Sequence, residues 1–170
     1  KYTDANITEE NLEVFLKAYQ SKKSILMEEL WIMPIMLKIA IIEYISDICD
    51  KVLDSQLQKF KVESLVERII KNKSIQEQNF IKYKNIKLDT EVTAYVEHLM
   101  YSLKKFGKDG KQYIETLEEE IKKVGTSIND VIKFEHYDMA VRRVSMANSI
   151  TSIRNIIRYN WQIIFESING

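Results

Sequence analysis

Apolar residues recur every three or four positions along most of this chain, which is the spacing of a helix with one buried face. The clearest series is Val92, Tyr95, Val96, Leu99, Met100, Leu103 and Phe106. A second series consists of Tyr113, Ile114, Leu117, Ile121 and Val124. A glycine follows each series, and glycine commonly ends a helix. The pattern therefore predicts two amphipathic helices, with a turn at "GKDG" (107–110) between them.

A first helix is predicted to begin at Thr8, because threonine caps helix N-termini and apolar residues follow it at helical spacing. The segment 30–42 is almost entirely apolar, but it contains Lys38 and is followed by acidic residues. A membrane-spanning helix needs about 20 mostly apolar residues, so a buried core helix and no membrane span are predicted. Pro34 is expected in its first turn, because an interior proline removes a backbone hydrogen bond. Cys49 belongs to the same apolar stripe and is expected to be buried.

The rest of the helical pattern is less regular. The apolar stripe changes direction near Phe60, which leaves a bend, a break or burial on two sides open. Residues 71–88 are polar and predict a connector. Ser127 begins a sequence that resembles a capping box, and the helix after it is apolar on two sides, so we expect it to lie between neighbouring helices. A last helix is predicted to begin at Asn148 or Ser149.

Together these elements predict an all-α fold, a bundle of roughly five to seven helices that forms a single domain over residues 1–170. The composition agrees, since the chain contains 4 glycines and 1 proline. With 25 basic and 25 acidic residues the formal net charge is zero, so no nucleic-acid partner is expected. The single cysteine cannot form an internal disulfide, which fits a reducing, cytoplasmic location.

The residue inventory offers little for catalysis. His98 and His136 are the only histidines and Cys49 is the only cysteine, fewer ligands than a zinc site needs. The chain has no glycine-rich phosphate loop, and among its many carboxylates no pair stands out as an acid and a base. We therefore predict no catalytic residue, no metal ion and no cofactor.

Three charged residues lie along one edge of a predicted helix, namely Glu135, Asp138 and Arg142. Their spacing of three and four residues brings such side chains together on a helix surface. A structural ion-pair ladder is the favoured interpretation, because networks of this kind often shape packing without chemistry. A binding site is the alternative.

Five further residues are candidates for binding: Glu29, Trp31, Asn148, Arg154 and Trp161. An arginine near a tryptophan can bind a sugar or an anion, or it can cover the edge of a core. The structural alternatives are a helix start at Asn148, packing by Trp161 and contacts of Arg154 with neighbouring helices or domains. Glu29 can equally belong to the start of a helix.

Two segments carry a family resemblance. The segment "FLKAYQSKKSILMEELWIMPIMLKIAIIEYI" (15–45) contains Tyr19-Gln20, then Glu-Leu-Trp and Pro-x-Met-Leu. The segment "SMANSITSIRNIIRYNWQIIFESING" (145–170) contains Asn-Ser-Ile, an arginine four residues after Ile150, a tryptophan and Phe-Glu. In this order the two segments resemble parts of the N-terminal region of bacterial cyclic β-1,2-glucan synthases. Lys38 stands where the family has arginine, and Tyr44 where it tends to have asparagine.

The resemblance implies that this chain, which begins with Lys1, is a fragment of a much larger protein. Proteins of that family combine a nucleotide-sugar glucosyltransferase with a glycoside hydrolase family 94 phosphorylase region, formerly called glycosyltransferase family 36. The parent would build or process β-1,2-linked glucan and would attach to the inner membrane through segments outside this chain. The chain itself is expected to be a non-catalytic scaffold or docking domain, with segments 27–37 and 145–161 facing the other domains of the parent.

Two other hypotheses stay open. The first is a carbohydrate-binding module, in which Trp31, Trp161, Arg154 and nearby carboxylates hold a β-glucan chain. The second ignores the resemblance and treats the chain as a stand-alone, ligand-sensing helical bundle.

Overall fold

The computed structural model describes residues 4–72 and 90–169, and within these ranges it contains six helices and no strand. The helices are α1 (Glu9–Gln20), α2 (Met27–Asn72), α3 (Thr90–Lys104), α4 (Lys108–Lys123), α5 (Ile128–Arg158) and α6 (Trp161–Asn169). The predicted all-α fold is confirmed. Most of the predicted connector, from residue 73 onward, lies outside the described residues.

Close backbone contacts divide the chain into two compact units. The first unit comprises Lys1–Cys49 and Val141–Gly170, and the second comprises Asp50–Ala140. Helices α2 and α5 therefore contribute residues to both units. A single domain over the whole chain stays a prediction.

The core of the second unit comes from α3, α4 and the adjoining parts of α2 and α5. Its buried members are Val62, Val66, Ile69, Val92, Val96, Leu99, Met100, Leu103, Leu117, Ile121, Ile128 and Val131. Both clear apolar series of the sequence supply buried residues here, so the predicted core faces of α3 and α4 are confirmed. Phe106 and Val124, the last residues of the two series, are exposed because they lie beyond the helix ends.

The core of the first unit lies where α1 packs against α6 and the start of α2. Its buried residues are Leu12, Leu16, Leu30, Ile164, Phe165 and Ile168. Thr8 caps α1 as predicted, since its Oγ1 accepts a hydrogen bond of 3.2 Å from the backbone N–H of Asn11. The cap satisfies one of the N–H groups that a helix start leaves without a partner inside the helix.

Helix α2 corrects three predictions. Pro34 lies inside the helix, not in its first turn, because α2 begins seven residues earlier at Met27. An interior proline lacks one backbone hydrogen bond and costs about 3 kcal/mol, and this helix of 46 residues continues through it. The helix is also buried on one face only: Leu30 and Ile41 are buried, whereas Ile42 is exposed. Cys49 is exposed as well.

The change of direction near Phe60 is not a break, because α2 continues through it to Asn72. Before this point the buried α2 residues, such as Ile48, belong to the first unit; after it, Val62 and Val66 belong to the core of the second. The stripe therefore changes direction where the helix passes from one core to the other.

The turn between α3 and α4 is shorter than predicted. Only Gly107 of "GKDG" precedes α4, and its positive φ of +53° is a conformation that glycine adopts readily. Gly110 lies inside α4 and is buried. A Cβ atom added there would lie 2.1 Å from the carbonyl oxygen of Leu103, so glycine is required by the close approach of the α3 backbone.

Helix α5 begins as predicted and ends later than predicted. The Oγ of Ser127 accepts a hydrogen bond of 3.1 Å from the N–H of Asp130, which confirms the cap. The expected helix start at Asn148 or Ser149 is wrong, because α5 runs without interruption to Arg158. The helical conformation is interrupted instead near Asn160, whose Oδ1 accepts a hydrogen bond from the N–H of Ile163 at 3.3 Å.

The expected burial of α5 on both sides is also wrong on one side, since Phe134, Tyr137 and Val144 are exposed. Among the described residues, no helix combines the length and the apolarity that crossing a membrane requires.

Candidate functional site

The structure divides the eight candidate residues between the two units. Glu135 and Asp138 belong to the second unit. The first unit holds the other six, which are Glu29, Trp31, Arg142, Asn148, Arg154 and Trp161. Each group is therefore described by its own contacts.

Four aromatic side chains form a cluster in the first unit. The ring centroid of Phe165 lies 5.9 Å from that of Trp31 and 5.7 Å from that of Trp161. Tyr159 adds a further contact, 6.1 Å from Trp161. The structure thus brings the two tryptophans, 130 positions apart in sequence, to the same aromatic cluster.

The two tryptophans differ in exposure. Trp161 is half-buried, and its Nε1 donates a hydrogen bond of 2.9 Å to the carbonyl oxygen of Ile156. Trp31 is 66% exposed. A buried indole with a satisfied N–H is a packing residue, whereas an exposed indole can stack against an apolar surface or the apolar face of a sugar ring. Arg154 is exposed on α5.

A groove of about 600 Å³ lies between α1 and the start of α2. Its lining is mostly apolar and consists of Phe15, Leu16, Tyr19, Ile25, Glu28, Glu29, Ile32, Met33 and Met36. Glu29 has a local role there, since its Oε2 accepts a hydrogen bond of 2.9 Å from the N–H of Leu26. A side chain that caps the start of α2 in this way is explained by the helix itself.

Asn148 holds the N-terminal segment, residues 4–8, against α5. Its Nδ2 donates to the carbonyl oxygen of Asp4 at 3.1 Å. One turn further on, Ser152 Oγ donates to the carbonyl oxygen of Ala5 at 2.6 Å and accepts from the N–H of Ile7 at 2.9 Å. These bonds hold Asp4 and Ala5 at positive φ values of 45° and 61°, which such residues rarely adopt.

Tyr159 completes the attachment of the N-terminal segment. Its hydroxyl donates a hydrogen bond of 2.7 Å to the carbonyl oxygen of Ile7. Burial raises the pKa of Tyr159 above the usual value of a phenol, and the negative charge of Glu9 raises it further. The group therefore stays protonated and able to donate well into the alkaline range.

Two polar links join α3 to α5 in the second unit. Glu135 is fully buried, and its Oε2 accepts a hydrogen bond of 2.8 Å from Thr93 Oγ1. Beside it, His136 Nε2 lies 2.7 Å from Oε1 of Glu97, which is itself buried. A buried carboxylate requires such partners, because an unpaired one would be strongly destabilising.

Three residues of these links, Thr93, Glu97 and His136, were not among the candidates. Thr93 and Glu97 are four residues apart beside the apolar series of α3, and this spacing is the only signal in the sequence. The carboxylate of Glu97 and the imidazole of His136 are groups that can exchange a proton. Both contacts nevertheless join α3 to α5, which is what structural links between helices do. Asp138 and Arg142 are half-buried on α5, and a role for them in binding stays a prediction. Among the described residues no group of three or more His, Cys, Asp or Glu could hold a metal ion.

Within the described residues the chain is therefore all-helical, and four of its eight candidate residues form hydrogen bonds within the chain, namely Glu29, Glu135, Asn148 and Trp161. No protein-family model matches it, and no solved structure matches it. It is similar to a cyclic β-glucan synthase: the cyclic β-(1,2)-glucan synthase NdvB of Rhizobium meliloti (strain 1021) is 21% identical over 168 residues. The matched region covers 99% of this chain and 6% of NdvB, so the chain spans a small part of that relative's length.

Proposed function

We propose that this chain is a non-catalytic scaffold or docking domain of a cyclic β-1,2-glucan synthase-like protein. The similarity to NdvB carries the proposal, because it extends over 99% of the chain and only 6% of the synthase. A segment that matches so small a share of the synthase would be one part of a larger, multidomain protein. Its neighbours would include a nucleotide-sugar glucosyltransferase and a family 94 phosphorylase region, in a parent held at the cytoplasmic side of the inner membrane.

The contacts of the candidate residues support a structural role. Glu29 caps a helix, Asn148 fastens the N-terminal segment and Trp161 bonds to a backbone carbonyl. Glu135 is bound to a threonine of the neighbouring helix. Side chains used in this way hold the fold and are not available to a substrate without breaking it.

The face that would dock lies on α5. Ile150 and Ile157 are exposed and seven residues apart, so they share one side of the helix. Arg154 lies between them and Arg158 beside them, and both are exposed. An apolar surface with basic residues fits an apolar and acidic surface on another domain of the parent.

The docking role can be tested in the complete protein that contains this segment. Replacing Ile150→Glu and Ile157→Glu together is expected to reduce glucan synthesis at least about tenfold, since charges in an apolar interface disrupt docking. Ile163→Glu is the matched control, because Ile163 is an exposed isoleucine on a different helix, α6. Normal synthesis by the double variant would contradict the docking face.

The non-catalytic role is tested on the isolated chain. It should be helical by circular dichroism, and it should neither transfer glucose from a nucleotide-glucose donor nor act on glucose 1-phosphate. Turnover of either donor by the purified chain would overturn the proposal.

A carbohydrate-binding module is the second candidate, and the exposure of Trp31 favours it. An indole that is 66% exposed beside Phe165 is the kind of surface on which a sugar ring can stack. Titration with β-1,2-linked oligoglucans should then change the tryptophan fluorescence, and Trp31→Ala should abolish the change. Trp161→Phe is the matched control, because Trp161 is half-buried. Fluorescence that does not respond would exclude a sugar site near either tryptophan.

A further inference from the structure

Helix α2 carries a second apolar face, opposite the face that it buries. The exposed residues Ile32, Ile35, Ile39, Ile42 and Cys49 follow one another at alternating spacings of three and four, with the exposed Ser46 at the remaining position. We call these residues the α2 seam. The four isoleucines are between 47% and 58% exposed. A contiguous apolar surface of this kind on a water-facing helix indicates an interface.

The seam is separate from the core of the first unit. Leu30, Ile41 and Ile48 are buried, and they lie on the opposite side of the same helix turns. The spacing continues along α2 at Leu53 and Phe60, which are also exposed. Apolar residues at alternating spacings of three and four over three to four heptads are the signature of a coiled coil. Within the first unit the α2 seam extends over residues 32–49, about 26 Å at about 1.5 Å per residue.

We propose that the α2 seam pairs with the same seam of a second copy of this chain, in parallel and in register. Lys38 and Glu43 indicate the partner, because they flank the seam on its two sides. Within the described part of the chain neither of them forms an ion pair. In a parallel pair Lys38 of each copy faces Glu43 of the other, five residues further along, which is the usual position of an interhelical ion pair.

The same charges disfavour one antiparallel register. If Ile39 faces Cys49 of an antiparallel copy, the two Glu43 carboxylates meet across the seam. Like charges in that position repel each other and select against the arrangement. Two attractive pairs replace this repulsion in the parallel arrangement, so the charges favour the parallel pair over that antiparallel register.

Cys49 makes the arrangement directly measurable. It is the only cysteine of the chain and it is exposed. In the parallel, in-register pair the two Cys49 side chains occupy the same layer of the seam. A disulfide needs Cα atoms about 4.4–6.8 Å apart, a distance that facing core positions of two paired helices can reach. Oxidation by a mild thiol oxidant then removes two electrons and two protons from two thiols and joins the copies covalently.

The first experiment uses the full chain without substitution. Sedimentation analysis between about 1 µM and about 100 µM should show a dimer that dissociates on dilution. Diamide should convert the dimer to a disulfide-linked pair, and Cys49→Ser should prevent linking without preventing association. A chain that stays monomeric over this range would overturn the proposal.

The orientation has its own test. Ile39→Cys in a chain that retains Cys49 should give only links between equal positions if the pair is parallel. Links between positions 39 and 49, identified by peptide mass after digestion, would show an antiparallel pair and would overturn the proposed register.

The seam itself is tested by Ile35→Glu together with Ile42→Glu. This variant should weaken association at least about 100-fold, since each charge would be buried against an apolar partner. Both positions are exposed in the single chain, so its helix content should not change. Ile163→Glu is the matched control, because Ile163 on α6 is as exposed as Ile42. Association that survives the double substitution would overturn the proposal.

A lipid surface is the competing occupant of an apolar helix face. If the chain were monomeric in solution, and if it bound phosphatidylglycerol vesicles through Ile35 and Ile42, the seam would be a membrane contact and the proposal would be wrong. The inference does not rest on the proposed function, although the α2 seam shares Ile32 and Ile35 with the segment 27–37 that was expected to face other domains. A monomeric chain would leave the docking role standing, and turnover of a glucose donor would leave the dimer standing.

Discussion

Helices α4 and α2 both carry regularly spaced apolar residues, but they bury them differently. In α4, Leu117 and Ile121 are buried, and the rest of the helix is largely charged. In the part of α2 that belongs to the first unit, the isoleucines occur on two opposite sides, and only Ile41 and Ile48 are buried. Where a helix has one polar side, the sequence alone indicates which side faces the solvent. Where that contrast is missing, spacing predicts the helix but not the face that its own unit covers.

The largest expected effect compares two neighbouring residues of α2. Ile41 is 4% exposed and Ile42 is 58% exposed. Ile41→Ala should lower the free energy of unfolding by about 2–5 kcal/mol, because it leaves a cavity where a buried side chain was packed. Ile42→Ala should change it by less than about 0.5 kcal/mol in dilute solution. Urea unfolding of both variants measures the difference.

Equal costs for the two substitutions would mean that α2 does not face the way described. A cost of Ile42→Ala that grows with protein concentration has a different meaning. It would come from association of the α2 seam, because self-association stabilises the folded chain by mass action.

A smaller effect is expected on the packed side of α4. Gly110→Ala should destabilise the chain by about 1–3 kcal/mol, because the new Cβ would lie 2.1 Å from a backbone oxygen of Leu103. Helix propensity alone predicts the opposite sign, since alanine is favoured over glycine inside a helix by about 0.5–1 kcal/mol. Thermal unfolding of the variant decides between the two.

Gly125→Ala is the control for this substitution. Gly125 has a φ of +86° and nothing within 4 Å of an added Cβ, so only backbone strain of about 1–2 kcal/mol is expected. A stabilising Gly110→Ala would show that α3 and α4 are not as close as described.

The smallest effect concerns the attachment of the N-terminal segment by Tyr159. The pKa of Tyr159 is raised in the folded state by burial and by Glu9, so its contribution to stability is complete below about pH 10, the value for an unfolded phenol. It is lost as the pH rises through the higher pKa of the folded state. The free energy of unfolding should therefore fall above about pH 10. For Tyr159→Phe it should fall less steeply with pH.

At neutral pH Tyr159→Phe should cost about 0.5–1.5 kcal/mol, the usual value of one hydrogen bond. Tyr137→Phe, at a tyrosine that is 69% exposed, is the control and should change the stability by less than about 0.5 kcal/mol. Identical pH profiles for wild type and Tyr159→Phe would contradict the role of this hydroxyl.

Local signals in the sequence were sufficient where a residue's partner is close in the chain. Thr8 and Ser127 cap helices as predicted, because a cap binds an N–H two or three residues away. The stripes of α3 and α4 were also predictable, since their polar and apolar sides differ. The helix break was predicted at position 148 and occurs near Asn160.

The misplaced break has a physical explanation. Ser149 and Thr151 donate to carbonyl oxygens one turn earlier, which satisfies their hydroxyls inside a continuous helix. Asn148 bonds to Asp4, 144 positions away, and no local pattern reveals such a partner. The same limit applies to the candidate site, because the contacts between Thr93 and Glu135 and between Trp31 and Phe165 depend on tertiary packing.

The hydrogen bonds between residues 4–8 and α5 bear on the order of folding. Ile7 is translated before the residues whose hydroxyls bind it, because Ser152 and Tyr159 follow it by 145 and 152 positions. Closing so long a loop is slow compared with forming local helix contacts. Residues 4–8 therefore stay in water until α5 has been made, and the first unit is completed after the second.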